Sequence, residues 1–336
     1  MLLSNNSISF LRMLSIVLLL CHGVALDNVF AQSDFISSQY MNSQLTINPA
    51  YAGVRNAFSV QALSRQQWMG LKDAPTTYAV NVHSPLNKRM ASLGASVLSY
   101  QNGPIQQNEF TAMYSYLLRL NHHLFVSMGV SAQINHYNVG LNALEVIEDN
   151  DPSFSQDFEN GFKPNFGAGV FLFSPRFFVG FSMPQILSNK LSIEETGSVV
   201  LEQFRSAYFT FGYAFDLGKN VSLKPSFLAR LRQNTSNAID VNLQLMYKNM
   251  FWVGASYRFN QTFASLLNVQ VSKTMAICYS YDFSIAKELR FGGGSHEVSL
   301  MIDSNSFIKR NRDRRFNRKK VTKSDEEKGV QSIRYF

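Results

Sequence analysis

The sequence predicts an all-β protein that crosses a membrane as a closed barrel of about 14 antiparallel strands. Apolar and polar residues alternate with a period of two along most of the chain, as in strands with two different faces. Short and long connections also alternate, which is typical of outer-membrane barrels. After residue 31, no apolar run reaches the roughly 20 residues that a membrane helix needs, and only helices and closed barrels satisfy their backbone groups in lipid.

The first 31 residues predict a secretory signal peptide that is removed on export. Arg12 precedes a short apolar run at 13–20, and Val29 and Ala31 occupy the −3 and −1 positions of a cleavage site before Gln32. The apolar run is too short to cross a bilayer as a helix, which takes roughly 20 residues.

Cys21 lies within this leader, so cleavage leaves Cys278 as the only cysteine of the mature chain. Lipidation at Cys21 is an alternative, but the leucines at 18–20 are not the small residues expected before a lipidated cysteine. No intramolecular disulfide is expected in the exported protein, so hydrogen-bonded strands must stabilise the fold.

Segment 239–247 illustrates the alternation that defines each predicted strand. Ile239 and Val241 fall on one face, and Asp240 and Asn242 fall on the other. The same pattern along the chain predicts 14 strands, at about 56–68, 76–84, 91–100, 108–119, 122–135, 163–173, 176–184, 203–216, 220–232, 237–249, 251–260, 262–273, 275–285 and 295–302.

Every second connection between these strands is a tight turn, and most of the others are longer. The tight turns lie at 86–90, 120–121, 174–175, 217–219, 249–250 and 273–274. The longer connections lie at 69–75, 101–107, 136–162, 185–202, 233–236 and 286–294, and 260–262 is a short exception. Outer-membrane barrels have short periplasmic turns, and an even number of strands places both ends of the barrel on the periplasmic side.

The more polar face of the strands predicts a lumen that holds charges of both signs. Cys278 alternates with Ile277 and Tyr279 and should face the lumen as a small packing residue. A barrel of about 14 strands is wide enough that wall side chains alone do not have to fill it, so the lumen either holds a plug or conducts. The predicted lumen-facing charged residues are Lys224, Arg230, Arg232, Asp240, Lys248, Arg258 and Asp282.

The chain divides into a signal peptide (1–31), an N-terminal periplasmic or lumenal segment (32–55), the barrel (56–302) and a C-terminal tail (303–336). The tail carries 11 Lys or Arg and 5 Asp or Glu, which gives it +6 of the formal net charge of +8. Because it has almost no apolar periodicity, it should be a flexible periplasmic extension. Its charge suits an acidic periplasmic protein or another polyanion, and a spacer without a binding role is the alternative.

No pattern of residues predicts a catalytic, cofactor or metal site. His122 and His123 are adjacent in a predicted turn, so their side chains should diverge rather than share a metal. The acidic segment 145–151 lacks the glycine and terminal glutamate of a defined Ca²⁺ loop. No spacing selects a Ser–His pair for nucleophilic catalysis, and a periplasmic tail does not meet nucleic acid.

Specific polar and turn residues cluster in the first third of the chain. They are Asn48, Pro49, Ala50, Tyr51 and Gly53 of the segment QLTINPAYAG, then Arg65, Gln66, Gln67 and Trp68, then Pro75, Thr76 and Thr77, and then His83 and Pro85. Together with 39–45, 93–95, 102–105 and the last strand, 295–300, these residues resemble the PorP/SprF family of outer-membrane proteins. The resemblance is specific over about 39–110 and looser as far as 302.

The resemblance implies a non-enzymatic barrel without a cofactor in the outer membrane of Bacteroidota, associated with type IX secretion and, in some members, with gliding motility. Its implied partners are membrane lipid, a secreted type IX cargo protein that it helps to export or holds at the surface, and periplasmic components of the secretion machinery. The motif residues then have either a structural or a partner-binding role. A passive porin or small-solute channel is the alternative function.

Overall fold

The structure, a computed structural model, describes residues 37–86, 90–140, 158–192, 199–233, 237–259, 262–285 and 293–304. The predicted signal peptide, the acidic segment 145–151 and the tail beyond residue 304 lie outside these ranges. Within the ranges, no helix combines the length and the apolar character needed to cross a membrane.

The described part of the chain consists almost entirely of strands. Two short helical turns, α1 (Gln44–Ile47) and a 3₁₀ turn (Pro49–Tyr51), precede them. The strands are β1 (Phe58–Gln66), β2 (Thr76–Pro85), β3 (Ala91–Asn102), β4 (Ile105–Arg119), β5 (Phe125–Val139), β6 (Phe158–Phe173), β7 (Phe177–Gln185), β8 (Asn189–Ser192), β9 (Val199–Gln203), β10 (Ser206–Tyr213), β11 (Phe215–Asp216), β12 (Val221–Arg232), β13 (Ala238–Tyr247), β14 (Phe251–Arg258), β15 (Thr262–Gln270), β16 (Met275–Ser284) and β17 (Ser295–Ser304).

Apart from β8 and β9, these strands form one closed antiparallel barrel of 14 strands, with β10 and β11 counted as one, as the alternation predicted. Neighbours in sequence are neighbours in the sheet, and β1 closes the barrel by pairing with β17 from Phe58↔Ser304 to Gln66↔His296. β10 and β11 count as one barrel strand because both pair with β12, and this strand is interrupted at Ala214. Closure matters because an open sheet edge would leave backbone donors and acceptors unpaired in lipid.

The two ends of the barrel differ in their connections. The turn end carries the short connections, such as 174–176 and 248–250, and it also holds both ends of the barrel sheet. The loop end carries the longer connections, such as 67–75 and 285–294.

Two predicted long connections contain regular structure. The predicted loop 101–107 is a two-residue turn at Gly103–Pro104, and Gly103 has a φ of 56° that favours glycine. The predicted loop 185–202 includes the hairpin of β8 and β9, which forms a separate two-stranded sheet.

The alternation assigns the two faces of the barrel wall correctly at all but one of the predicted lumenal charges. Lys224, Arg230, Arg232, Asp240, Arg258 and Asp282 are buried on the inner face, and so is Cys278. The prediction for Lys248 is wrong: this residue follows the end of β13, has a φ of 50° and is exposed, with its ammonium 5.3 Å from the ring of Tyr247. The period of two no longer applies there because the strand has already ended.

The outer face is an apolar band, so a charge in its middle should be costly and a charge at the turns should not. We expect Leu243→Arg, at a position 48% exposed in β13, to lower the free energy of unfolding by about 2–4 kcal/mol. The matched control is Leu217→Arg in the 217–220 turn, where the side chain is 62% exposed and the expected loss is at most about 1 kcal/mol. Urea unfolding in lipid vesicles measures both, and equal losses would show that the outer face of β13 does not meet lipid.

Candidate functional site

The lumen is filled by the chain's own N-terminal segment, residues 37–57, which is called the plug below. Nearly every residue of the plug is buried, including Tyr40 at 2% exposure and Ala50 at 0%. Because a closed barrel of this size leaves space that its wall side chains do not fill, the plug replaces water with packed protein.

Local sequence chemistry shapes the plug. Asn48 is extended, with φ −141° and ψ 110°, as expected for a residue that precedes proline. Its side-chain oxygen accepts a hydrogen bond from Ala50 N at 2.9 Å, which caps the 3₁₀ turn that begins at Pro49. Gly53 then reverses the chain with a φ of 74°, a conformation that side chains rarely adopt.

At the loop end, the plug is held by a buried ion cluster on the wall. Arg65 of β1 contacts Asp282 of β16 at 2.6 Å and Glu297 of β17 at 2.8 Å, and all three side chains are at most 3% exposed. Ser38 Oγ donates to Asp282 at 2.6 Å, and Ser37 Oγ donates to Glu297. We call these five residues, together with Gln39, the latch.

Backbone groups of the plug also enter the latch. The amides of Ser38 and Gln39 donate to the carboxylate of Glu297 at 3.2 and 3.3 Å. The Gln39 side chain donates to Glu297 O at 2.9 Å and accepts from Ser299 at 2.6 Å. Hydrogen bonds with an ionised partner are roughly twice as strong as neutral ones, so the latch fixes both the position and the direction of the chain.

At the turn end, the plug packs on an apolar wall. The ring of Tyr51 meets Phe171 edge to face at 5.4 Å and His83 at 5.9 Å. Gly53 N donates to His83 Nδ1 at 3.1 Å. The larger apolar cluster that surrounds this contact includes Tyr40, Met41, Leu45, Ala50, Ala52, Val54, Met113, Phe125, Phe173, Phe178, Tyr208 and Leu228.

Two wall glycines let the backbone of the plug approach closely. A Cβ added at Gly129 would lie 2.4 Å from Ala50 N, and one added at Gly169 would lie 2.2 Å from Asn48 Oδ1. Both distances are shorter than contacts that real Cβ atoms make, so the wall accepts this turn of the plug only because these positions have no side chain.

A second buried ion pair joins the plug to the start of the barrel. Arg55 donates to Asp303 through Nε at 3.2 Å and through Nη2 at 2.8 Å, and Ser59 donates to the same carboxylate at 2.7 Å. This bidentate contact lies at the turn end, where Asp303 N donates to Thr274 O of a short connection. The plug is therefore held by charged groups at both of its ends.

The structure divides the predicted motif residues into three groups. Asn48, Pro49, Ala50, Tyr51 and Gly53 belong to the plug, and Arg65, Thr77 and His83 are buried wall residues on the inner face of β1 and β2. The remaining motif residues lie elsewhere: Gln66 is exposed on the outer face, Gln67, Trp68 and Pro75 belong to the first loop, and Thr76 and Pro85 are half-buried at the ends of β2.

Sequence reasoning missed two residues on which the plug depends, Glu297 and Asp303 of β17. For Glu297 the signal was present in the sequence, because it shares the inward parity of Ser295 and Ser299 in the predicted strand 295–302, and a carboxylate there needs a buried partner such as Arg65. Asp303 has the same parity, but the prediction assigned it to the tail, whereas β17 continues to Ser304.

Within the described ranges, no group of three or more His, Cys, Asp or Glu side chains is arranged to hold a metal ion. His122 and His123 lie exposed in a turn, where His122 Nδ1 is 3.0 Å from Arg119 Nη2.

Two small cavities border the plug. A cavity of about 20 Å³ is bordered by Tyr51, Arg55, His83 and Asp303, and another of about 10 Å³ is bordered by Gln39, Asn42 and Cys278. Each is close to the minimum that one water molecule requires.

The match to a protein-family model agrees with a membrane protein. Residues 29–302 match the family model described as type IX secretion system membrane protein PorP/SprF. The chain is similar to the Ralstonia pickettii toluene transporter TbuX, with 12% identity over 78% of this chain and 92% of that chain and a TM-score of 0.48. It is also similar to the Acinetobacter baumannii outer membrane protein Omp33, with 11% identity, coverages of 74% and 97% and a TM-score of 0.44. No curated protein sequence matches it.

Breaking the latch should cost far more than breaking an exposed ion pair. We expect Arg65→Ala to lower the free energy of unfolding by about 3–5 kcal/mol, because two buried carboxylates lose their shared cation. The control is Arg176→Ala, whose pair with Asp216 is 3.6 Å long with side chains 68% and 59% exposed, and whose loss should stay within about 1 kcal/mol. Equal effects in urea unfolding would contradict a stabilising role for the latch.

A side chain added beneath the plug should loosen it. We expect Gly129→Ala to speed amide hydrogen exchange at Ala50 and Ala52, because overpacking against backbone costs about 1–3 kcal/mol. Gly140→Ala is the matched control, since a Cβ there meets nothing within 4 Å and exchange should not change. Unchanged exchange in both variants would show that the wall glycines do not position the plug.

Proposed function

Because this chain belongs to the PorP/SprF family of type IX secretion system membrane proteins, we propose that it serves type IX export as a closed platform for a partner protein. In this role it binds a secreted cargo protein and helps to export it or holds it at the cell surface. The observation that carries the proposal is the plug, because a lumen packed with the chain's own residues suits a docking protein better than a solute pore.

The orientation of the barrel assigns each end to one side of the outer membrane. Short turns face the periplasm in barrels of this class, so the turn end meets the periplasmic machinery and the loop end meets the outside. The connections 140–157 and 186–205 are the longest at the loop end, and the hairpin of β8 and β9 rises from the second. We assign the docking surface for the exported partner to this end.

The base of that hairpin is fixed to the barrel by one buried side chain, Asn165 of β6. Asn165 Oδ1 accepts from Ile186 N and Leu187 N at 3.0 Å, and Asn165 Nδ2 donates to Leu187 O at 2.9 Å. These contacts hold the segment from which β8 starts in a fixed relation to the rim. A rigid base reduces the ordering cost of binding a partner.

The turn end offers the basic tail to the periplasm. With 11 Lys or Arg and 4 Asp or Glu in 305–336, beyond the end of β17, the tail suits an acidic surface of the secretion machinery. Retained export by a chain that ends at residue 304 would make the tail a spacer. A role in surface attachment that supports gliding belongs to the same proposal.

The passive channel is the alternative function, and conductance separates it from the platform. We expect the purified full-length barrel to give no stable open state in planar bilayers, because the plug is buried inside the lumen along most of its length. Arg65→Ala should give intermittent openings by freeing the plug, whereas Arg176→Ala should remain silent. A large, steady conductance from the unaltered barrel would favour the porin.

Export itself tests the platform. In the native cell, loss of this barrel should trap at least one protein with a type IX targeting domain inside the cell envelope, and the unaltered gene should restore its release or surface display. Quantitative proteomics of the envelope and the medium measures this. Normal export and display of every such cargo without the barrel would refute the proposal.

A further inference from the structure

The plug passes through the lumen in one direction only. Along β16, its hydrogen-bond partners descend from Asp282 with Ser38, to Ser280 with Gln39, to Cys278 with Asn42, which is towards the turn end where β16 begins at Met275. The plug therefore starts near the loop end and moves away from it as the residue number rises.

The contacts with β1 give the same direction independently. Ser38 lies within 3.3 Å of Arg65, Ser43 accepts from Gln61 at 2.8 Å, and Arg55 shares the carboxylate of Asp303 with Ser59. Because β1 rises from Phe58 at the turn end to Gln66 at the loop end, this sequence of partners also descends.

The latch fixes where the chain enters. The amides of Ser38 and Gln39 and the hydroxyl of Ser37 all converge on Glu297, which pairs in register with Arg65 one residue from the end of β1. The first described residues of the plug are therefore held beside the loop end of the wall.

We infer that the plug enters the lumen from the extracellular side of the outer membrane, so that its first described residue, Ser37, lies at the extracellular end of the barrel. The end of β17 at Ser304 lies at the opposite, periplasmic end.

The first arm of the test verifies the position of the plug in cells. Asn42 Nδ2 lies 3.3 Å from Cys278 Sγ, so Asn42→Cys should form a disulfide with the native cysteine under oxidising conditions and shift the protein on a non-reducing gel. Ser43→Cys is the matched control, because Ser43 instead accepts from Gln61 and should give no shift. Absence of the Asn42→Cys disulfide would overturn the inference.

The second arm verifies the direction. In a Cys278→Ser background, Ser33→Cys should react on intact cells with a maleimide whose polyethylene glycol chain is too large for outer-membrane pores. Phe336→Cys should react only after the outer membrane is permeabilised. Labelling of Ser33→Cys only after permeabilisation, or not at all, would overturn the inference, while unchanged type IX export in these variants would leave the proposed function standing.

Discussion

The structure depends on one buried interaction, the shared contact of Arg65 with Asp282 and Glu297. Burying ions is expensive, and a cluster of this kind is tolerated only when hydrogen bonds satisfy its remaining atoms. Here Ser37, Ser38 and the amide of Gln39 supply several of those bonds, although Arg65 Nε and Asp282 Oδ1 have no hydrogen-bond partner in the described part of the chain. The wall cluster and the plug therefore require each other: without the plug, two carboxylates would face an unfilled lumen, and without the cluster, the plug would have no fixed entry point.

This mutual requirement gives a physical meaning to the family motif. The run from Asn48 to Gly53 is a folded insert that caps its own turn and rests on Gly129 and Gly169. Arg65 and His83 stand on the wall, and each contacts the plug through a polar atom. Motif residues that are scattered along the sequence thus form the two sides of one contact surface, the plug and the wall. The two sides come together when the barrel forms.

The alternation predicted the number of strands, the closure and the inward side of the wall, because a period of two follows directly from strand geometry. It failed at Lys248 because this residue lies in a turn, beyond the end of the strand. It also failed around Gly103, where polar residues obscured the pattern of two strands joined by a tight turn. The hairpin of β8 and β9 was missed because its strands are only four and five residues long.

The candidate site was harder to predict than the barrel. Tertiary contacts between residues about 240–260 positions apart, such as Ser38 with Asp282 and Ser37 with Glu297, leave no local trace in a sequence. The sequence could show that the lumen needs a plug or a pore, and it could place residues 32–55 near the mouth. Packing decides between a plug and a pore. Two glycines and three carboxylates of the wall hold the plug, and they come close to it only when the strands are assembled.

That separation in sequence also constrains biogenesis. The plug is translated before any strand, yet its partners Asp282, Glu297 and Asp303 belong to the last two strands of the barrel. Contacts of such long range form late because loop closure must precede them. The plug is therefore translated before the strands but fixed in place after them. A chain without β17 loses both the strand that closes the barrel and two of the carboxylates that bind the plug. A lumen sealed by the plug therefore indicates that the barrel is completely assembled.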